Sequence, residues 1–420
     1  MTRPAPQQTS SQRKIRVLFL AEAVTLAHVA RPLSLAGSLD ASRYDMHFAH
    51  CPRYADLVGE QHFTEHTIHS IAPAQFAAAL AAGRPLYDLE TLKRYVEQER
   101  ALLDELRPDV IVADFRITAA VSAELAGIPS VCIANTCWSP YVDQRYTVPD
   151  LPLVRRLGVT VAQGLFSIGR PVAFAMHSRP MAALRRLHGL PPLGADLNRV
   201  YTHADYTLYA DIPGLYKTAE LPRNHREIGP VLWSPAAPLP SWWHTVDTSR
   251  PLVYVTPGSS GRADLLPAMI AALGELEVTA MVASAGMELQ SPLPANVHAA
   301  AFLPGDLAAR RSSLVVCNGG SPTTHQALSE GAAVLGLPTN LDQFLNLATL
   351  CNAGVAGMMR ADQFQRGAFQ SQVMAMLADD RLSAAAATMA QRIQQCSAAN
   401  HFPQFMDDPQ SPWWRSAQSD

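Results

Sequence analysis

The sequence predicts an α/β protein built from two doubly wound parallel-sheet domains that face each other across a cleft. Short, nearly continuous apolar runs alternate with helical stretches, which is typical of parallel strands covered by helices on both faces. The alternation stops once, at a stretch rich in proline and tryptophan, and then restarts. The chain has 420 residues, enough for two or three domains of roughly 150 residues each.

Composition excludes several classes of protein. Apolar residues make up 48% of the chain, so it has enough apolar surface to fill ordinary cores and is not a disordered protein. The formal net charge of −3 favours no nucleic-acid partner. The 6 cysteines include no Cys-x-x-Cys pair, which indicates free thiols in a reducing, cytoplasmic compartment.

Targeting and membrane signals are weak. Residues 1–13 are polar and read as a disordered lead-in, without the apolar segment of a signal peptide. A membrane span needs roughly 18 uninterrupted apolar residues. The nearest candidate, Leu157–Met176, is interrupted by Gln163, Arg170 and Pro171, so we expect no membrane-spanning helix.

Residues 14–232 carry the first alternation. The predicted strands are Ile15–Leu20, Tyr44–Ala49, Asp109–Ala113, Pro129–Ala134 and Tyr206–Tyr209, and the predicted helices are Ala27–Leu39, Leu89–Leu106 and Ala119–Ala126. Between Tyr141 and Leu190 the pattern breaks into helical and loop-like pieces. Residues 233–249, rich in Pro and Trp, form the predicted linker.

Residues 250–395 carry the second alternation. The predicted strands are Leu252–Thr256, Val278–Ala283, Val297–Phe302, Leu314–Cys317 and Ala333–Leu337. Open parallel sheets bind ligands beyond the carboxyl ends of their strands. With two such sheets in one chain, we expect the functional site in the cleft between them.

Two glycine-containing turns are candidate phosphate sites. Asn318, Gly319 and Gly320 follow one strand, and Ser321, Pro322 and Thr323 then begin a helix. Glycine permits close backbone approach, Pro322 fits the first helical position, and a helix N-terminus binds anions. The second turn contains Gly258, Ser259, Ser260 and Gly261. An ordinary capped turn and a flexible loop are the respective alternatives.

The second half resembles the donor-binding domain of family 1 glycosyltransferases, the nucleotide-sugar-dependent enzymes of the GT-B fold and bacterial natural-product type. The matching segments are Phe302–Gly305, Asn318–Thr323, Gln326–Leu328, Gly331, Pro338 and Asp342–Gln343. The resemblance spans most of the chain and is most specific from Phe302 to Asn346. It implies an acceptor-binding domain at 14–232, a donor-binding domain at 250–395 and a tail, 396–420, that packs back on the first domain.

The resemblance also implies roles for the donor-side residues. Phe302 would stack on the nucleobase, the Leu303 backbone would bond the base, and Gln326 would hold the ribose. The diphosphate would be lined by Asn318, Gly319, Gly320, Ser321 and Thr323, with Gly258, Ser259, Ser260 and Gly261 opposite, and sugar hydroxyls would be held by Asp342 and Gln343. The chain departs from the family pattern at Asn318, Pro322, Gln326 and Gly305, where the family has His, Gly, Glu and Gln. These departures concern the nucleotide and its affinity rather than the fold.

His28 and Asp114 are the candidate catalytic pair. A lone histidine at a helix start is more often a capping or surface residue, and a carboxylate at a strand end is often a helix cap. The family has its base and the orienting aspartate at these places. Neutral imidazole accepts a hydroxyl proton near physiological pH, and a carboxylate fixes its tautomer and stabilises its charged form.

The segment 151–190 is basic and apolar. It contains Arg155, Arg156, Arg170, Arg179, Arg185 and Arg186 and no Asp or Glu. The resemblance places it around the acceptor site. It therefore indicates either peripheral contact with an anionic membrane or binding of an anionic lipophilic acceptor; the alternative is a pocket wall whose arginines face water.

The sequence therefore predicts an inverting glycosyltransferase that moves a sugar from a UDP- or dTDP-type donor to a hydroxyl of a small lipophilic acceptor. There is no Asp-x-Asp motif, so we expect no metal and no other cofactor. Two alternatives stay open: a catalytically silent nucleotide-binding partner of another transferase, and a sugar-nucleotide epimerase. The identity of the sugar, nucleobase and acceptor, and the oligomeric state, are left open.

Overall fold

The computed structural model describes residues 13–58, 62–235 and 237–416. The predicted lead-in lies outside these ranges except for Arg13, whose guanidinium pairs with Asp109 at 2.7 Å. Within the described ranges the chain forms two parallel sheets covered by helices, which confirms the predicted α/β fold class.

The first sheet has the strand order β3-β2-β1-β4-β5-β6-β7 and all its pairs are parallel. Its strands are β1 Ile15–Ala21, β2 Tyr44–His50, β3 Thr64–Thr67, β4 Val110–Asp114, β5 Ser130–Ala134, β6 Tyr206–Tyr209 and β7 His225–Glu227. Its helices are α1 Ala27–Gly37, α2 Ala55–Val58, α3 Pro73–Ala81, α4 Leu89–Leu106, α5 Ala119–Ala126, α6 Pro152–Leu187 and α7 Leu197–Thr202. The two central strands, β1 and β4, are buried almost throughout because helices cover both faces.

The second sheet has the order β10-β9-β8-β11-β12-β13. Its strands are β8 Leu252–Val255, β9 Thr279–Ala283, β10 Val297–Ala300, β11 Leu314–Cys317, β12 Ala333–Gly336 and β13 Ala356–Met358. The helices that follow the linker are α8 Leu266–Leu273, α9 Gly305–Arg311, α10 Ser321–Ser329, α11 Leu341–Asn352, α12 Arg366–Leu377, α13 Asp380–Gln395, α14 Ala398–Met406 and α15 Pro412–Ser416. In both sheets the chain reverses direction of winding at the central strands, which places a ligand crevice at their carboxyl ends.

The last helices cross from the second domain to the first. Helix α13 packs against α10, whereas Phe402 and Trp413 are fully buried in the core around Phe19. The crossing requires Gly229, which has φ of 88°, because a Cβ there would overlap the carbonyl oxygen of Cys396. The C-terminal helices thus connect the two domains a second time, in addition to the linker.

The segment Tyr141–Leu190 was predicted as helical and loop-like pieces, and it is a loop up to Leu151 followed by α6. Helix α6 is interrupted at Gly158, where φ of 75° and ψ of 163° are not helical, and its longer part follows this residue. Pro171 and Pro180 lie inside the longer part, and the helix continues through both. By length and composition alone, α6 is long and apolar enough to cross a membrane.

Smaller differences concern short elements. Strands β3, β7 and β13 have 4, 3 and 3 residues and were not predicted, since such short and partly exposed strands carry little apolar pattern. Pro322 occupies the second position of α10, not the first, because Gly320 caps the helix and Ser321 begins it.

Candidate active site

A cavity of about 630 Å³ lies between the carboxyl ends of the two sheets. Residues of both domains line it, and among them are all the predicted site residues except Asp114, Gly261 and Gly319. Each of those three is adjacent in sequence to a residue that lines the cavity. The cleft between the sheets therefore holds the predicted site residues together.

His28 and Asp114 form a close pair on the cavity wall formed by the first domain. His28 lies at the start of α1, just after β1, and Asp114 ends the neighbouring strand β4, opposite Ala21. The Nδ1 atom of His28 lies 2.8 Å from Oδ1 of Asp114. The carboxylate is fully buried while the His28 side chain is 18% exposed, and no described residue bonds its Nε2. This leaves Nε2 as the nitrogen available to a substrate.

Asp114 does not cap a helix. The next helix, α5, begins at Ala119 with Thr118 as its flanking residue. The carboxylate instead accepts hydrogen bonds from His28 and Arg31. The helix-cap alternative for this aspartate is therefore excluded.

Arg31 is part of this cluster and was not predicted. It lies one turn after His28 on α1, so both side chains project from the same face. Its Nη2 donates to Asp114 Oδ1 at 2.8 Å and its Nη1 donates to Asn135 Oδ1 at 2.7 Å. Burial alone would lower the pKa of Arg31, but the charge of Asp114 and the hydrogen bond outweigh it, so the pKa is raised and the guanidinium stays charged.

Phe115 fixes the plane of the imidazole. Its ring stacks on His28 with 4.4 Å between centroids and an interplanar angle of 10°. Phe115 has φ of 54°, a left-handed conformation that is unusual for an aromatic residue and is held by its surroundings. Strand β4 thus delivers both the carboxylate and the stacking ring in two consecutive residues.

On the cavity wall formed by the second domain, the two glycine-containing turns meet. Asn318 Nδ2 donates to Ser260 Oγ at 3.1 Å, and Asn318 Oδ1 accepts from the Gly320 amide at 3.1 Å. Gly319 has φ of 85°, and a Cβ there would lie 2.2 Å from Leu347, so only glycine fits this turn. Asn318, at the family's histidine position, therefore links the two turns.

Ser321 is also hydrogen-bonded to a residue of the first domain. Its Oγ accepts from Asn135 Nδ2 at 2.9 Å, and the same amide donates to Asp211 Oδ1 at 3.0 Å. The Nε2 of buried His325 lies 3.5 Å from that carboxylate oxygen. Burial lowers the pKa of His325, although the charge of Asp211 opposes this. A polar network thus runs from Arg31 through Asn135 to the first turn of α10.

Gln326 contacts the linker as well as the cavity. Its Nε2 donates to the carbonyl of Trp233 at 2.8 Å and to Ser234 Oγ at 2.6 Å. A Cβ at Gly305 would lie 2.2 Å from Gln326 Oε1. The two departures from the family pattern are therefore coupled: an amide donates where a carboxylate would not, and the missing side chain at 305 makes room for it.

Of the remaining predicted residues of the second domain, one is exposed at the cavity and two are hydrogen-bonded within the protein. Phe302 is 39% exposed at the cavity, as a stacking ring requires. Asp342 accepts from Trp138 Nε1 at 2.8 Å. Gln343 is buried and completes a capping box with Asn340 at the start of α11, so its side chain mainly holds the helix.

The part of the cavity lined by the first domain is largely apolar. Its lining includes Leu26, Phe76, Leu80, Leu86, Phe115, Trp138, Phe166, Phe174, Leu197 and Tyr201. Trp138 and Asn135 follow β5, so the rule that ligands bind beyond strand ends could have identified them. In the described part of the chain, no three His, Cys, Asp or Glu side chains come together as a metal site.

Two facing doubly wound domains with the cavity between them define the fold as GT-B. The spinosyn forosaminyltransferase SpnP superposes with a TM-score of 0.68 and 18% identity, covering 94% of this chain and 99% of that chain. The spinosyn rhamnosyltransferase SpnG complexed with thymidine diphosphate gives 0.65 and 22%, covering 94% and 100%. At these identities the likeness concerns the fold.

The chain is more similar in sequence to several mycobacterial proteins than to these solved structures. A PGL/p-HBAD biosynthesis glycosyltransferase of Mycobacterium tuberculosis is 45% identical over 395 residues, which are 94% of this chain and 92% of that protein. A PGL/p-HBAD biosynthesis rhamnosyltransferase of Mycobacterium bovis is 45% identical over 407 residues, 97% and 90%. A third relative, from Mycobacterium bovis and named inactive, is 48% identical over 262 residues, 62% and 72%.

The chain belongs to the family of these PGL/p-HBAD biosynthesis glycosyltransferases, and it is a glycosyltransferase of the natural-product type. This confirms the family and the enzyme class predicted from the sequence. No model of a known protein family matches the chain.

Proposed function

We propose that the protein is an inverting glycosyltransferase that moves a sugar from a UDP- or dTDP-type donor to a hydroxyl of a small, largely apolar acceptor, with His28 as general base. The observation that carries the proposal is the 2.8 Å contact between His28 and buried Asp114 on the wall of the cavity facing α10. A hydroxyl in the apolar part of the cavity would lie beside the Nε2 that has no other described partner.

In the proposed reaction, His28 Nε2 takes the proton of the acceptor hydroxyl as its oxygen attacks the anomeric carbon. The new carbon–oxygen bond forms on the face opposite the breaking bond, so the anomeric configuration inverts. The nucleoside diphosphate leaves with the electron pair of the old bond. Asp114 stabilises the imidazolium that forms, and the proton later passes to solvent.

The leaving diphosphate needs positive potential. The first turn of α10 supplies amides from Ser321 and Thr323, and Pro322 contributes none. Ser259 and Ser260 line the cavity beside this turn, and Ser260 Oγ accepts from Asn318 Nδ2 at 3.1 Å. We propose that these groups, without a metal ion, stabilise the developing charge.

The relatives suggest which donor to test first. One is named a rhamnosyltransferase, and the SpnG structure contains thymidine diphosphate. A dTDP-activated deoxyhexose such as rhamnose is therefore our first candidate, and a UDP-hexose is the second. The apolar lining favours a lipophilic acceptor, and the aglycone complex of SpnG supports the same choice.

The test is a thermal-shift panel of UDP, dTDP, GDP and ADP, followed by product analysis with the matching sugar nucleotides and hydrophobic alcohols and phenols. A nucleotide present at about 100 times its dissociation constant stabilises the fold by about 2.7 kcal/mol. We expect one pyrimidine diphosphate to bind, and transfer to survive EDTA. A donor isomerised without acceptor would indicate the epimerase instead.

The second candidate is a silent nucleotide-binding partner, which the relative named inactive brings into view. It predicts nucleotide binding without turnover of any donor. The intact pair of His28 and Asp114 disfavours it, because a silent partner has no use for a buried carboxylate held against an imidazole.

A further inference from the structure

Helix α6 carries a continuous exposed apolar ridge. In the described part of the chain, most of the exposed large apolar side chains belong to this helix: Leu153, Leu157, Val161, Leu165, Ile168, Val172, Met176 and Leu187. In the part of α6 that follows Gly158, five of them lie at intervals of three or four residues and so share one face: Val161, Leu165, Ile168, Val172 and Met176. Ile168 is 81% exposed, and contiguous exposed apolar side chains mark an interaction surface in soluble proteins.

The opposite face of α6 packs on the acceptor domain. Phe174, Met181 and Leu184 are buried in a core cluster that includes Tyr95 of α4. A helix that crossed a membrane would leave this core without its cover. The ridge (the exposed apolar residues of α6) therefore lies flat on the surface of the domain.

The helix that carries the ridge is strongly basic. The helix has six arginines and no Asp or Glu. Arg185 pairs with Glu124, Arg155 with Asp150, and Arg170 lies over the ring of Tyr146. Among the described residues, no carboxylate lies within ion-pair distance of Arg156, Arg179 or Arg186, and all three are exposed.

Two of these arginines extend the ridge itself. Arg179 follows Val172 by seven residues, and Arg186 follows Arg179 by seven, so both lie close to the ridge on the helix surface. An apolar strip with cations along it matches the anionic headgroups and acyl boundary of a lipid bilayer. A second copy of the chain fits poorly, because it would bring arginines against arginines with no acidic residue of α6 to pair them.

The same helix also reaches the substrate cavity. Phe166, Ala173, Phe174 and His177 line the cavity from the inner side of α6, while Leu165 and Val172 are exposed next to them in sequence. One helix thus separates the cavity from the ridge.

We propose that the α6 ridge docks the protein on the surface of an anionic lipid bilayer, from which a lipophilic acceptor enters the cavity. The docking itself stands on the ridge and its arginines, and only the entry of the acceptor rests on the proposed function. The helix lies in the interface and does not span the bilayer.

The experiment is flotation of the full chain with vesicles of phosphatidylcholine alone or with about one third phosphatidylglycerol added. We expect binding to the anionic vesicles only. Each arginine near such a surface contributes about five-fold in partition, so Arg179→Gln with Arg186→Gln should lower it about 25-fold. Ile168→Gln with Val172→Gln should lower it at least about ten-fold.

Matched controls are exposed residues elsewhere: Arg223→Gln with Arg381→Gln for charge, and Met374→Gln for apolar exposure. They should bind like the wild type. Neither Ile168 nor Val172 lines the cavity, so transfer to a water-soluble acceptor should be unchanged in the ridge variants. That assay separates the two proposals, since its failure in the wild type concerns the proposed function alone.

Equal binding of ridge and control variants to anionic vesicles would overturn the docking proposal. So would absence of vesicle binding together with a dimer that the Ile168→Gln, Val172→Gln variant dissociates in light scattering, because the ridge would then be a self-association surface.

Discussion

At the scale of single residues, three neighbours surround His28, the proposed base. Asp114 fixes Nδ1 of His28, Phe115 covers its face, and Arg31 shares the same carboxylate oxygen. Because Nδ1–H and Arg31 both donate to Asp114, the 3.2 Å approach between Arg31 Nη2 and Nδ1 is a contact between two donors. Arg31 therefore orients the carboxylate and also offsets part of its charge.

Arg31→Met should lower the kcat of transfer at least about ten-fold, because Asp114 loses the donor that holds it. The KM for the donor should stay within about two-fold. Arg31→Lys restores charge but not the two-pronged geometry, and should recover only part of the rate. Steady-state kinetics test this. A large drop in melting temperature with an unchanged kcat would reduce Arg31 to a structural role.

Gln326 is the second residue whose role depends on chemistry rather than size. Gln326→Glu restores the family residue but places a carboxylate against the Trp233 carbonyl, where it cannot donate. We expect a stability loss of about 1–3 kcal/mol and no gain in nucleotide affinity. Chemical denaturation and calorimetry measure the two quantities. Tighter nucleotide binding without loss of stability would show that the linker contact is dispensable.

At the scale of elements, a buried ion cluster holds the turn that follows β4. Arg116 donates to Glu22 at 2.8 Å and to Glu99 at 2.6 Å, and all three side chains are fully buried. Burial raises the pKa of Glu22, and the charge of Arg116 opposes this shift. The cluster ties β1 and α4 to the residue directly after Phe115, and so sets the position of the stacking ring and of Asp114.

Arg116→Met should destabilise the protein by about 3–5 kcal/mol, because Glu22 and Glu99 would be left buried without their partner. The matched control is Arg310→Met, which removes an ion pair with Glu330 whose arginine is 62% exposed and should therefore cost far less stability. Denaturant unfolding of both variants measures the two losses of unfolding free energy. Equal losses in the two variants would contradict this account of the turn.

The sequence predicted the elements whose patterns are local. β1, β4 and β11 are buried apolar runs, and α4 has a capping aspartate, Asp88, and ends before Pro108. It did not predict the bounds of α6, because proline usually ends a helix, whereas α6 continues through Pro171 and Pro180. It missed β7 and β13 because three residues carry no clear period.

The residues of the candidate site were predicted from two sources, the ends of the parallel strands and the family resemblance. His28, Asp114 and the turn at Asn318 were found from both sources together. Contacts between distant segments were not predictable: Asn135 meets Ser321 across 186 residues and Gln326 meets Trp233 across 93. Such pairs depend on how the two domains dock, which no local pattern records.

At the scale of the whole molecule, the two domains meet through buried polar groups. Asp211 accepts from Asn135 and from the Thr136 amide, and it faces His325 of α10. Ser321, in the first turn of the same helix, also bonds Asn135. The position of α10 relative to His28 is therefore set by contacts that bury a histidine.

Stability should fall as the solution becomes acidic. Burial lowers the pKa of His325, so below the ordinary value of about 6.5 the unfolded chain binds a proton that the folded chain resists. Between about pH 7.5 and about pH 5.5 the unfolding free energy should drop more in the wild type than in His325→Gln, by up to about 1.4 kcal/mol. Urea unfolding at both pH values measures this difference. An identical pH dependence in the two proteins would mean that His325 is not protonated on unfolding in this range.

The central claim is that the His28–Asp114 pair on one domain acts on a donor held by the other. The most direct test is the rate of product formation at saturating donor and acceptor for His28→Ala, Asp114→Asn and the double variant, with nucleotide affinity measured by calorimetry. We expect a loss of about 100-fold or more for His28→Ala, unchanged nucleotide affinity, a large loss for Asp114→Asn, and a double variant barely slower than His28→Ala. Wild-type rates in His28→Ala, or losses that multiply in the double variant, would contradict the account.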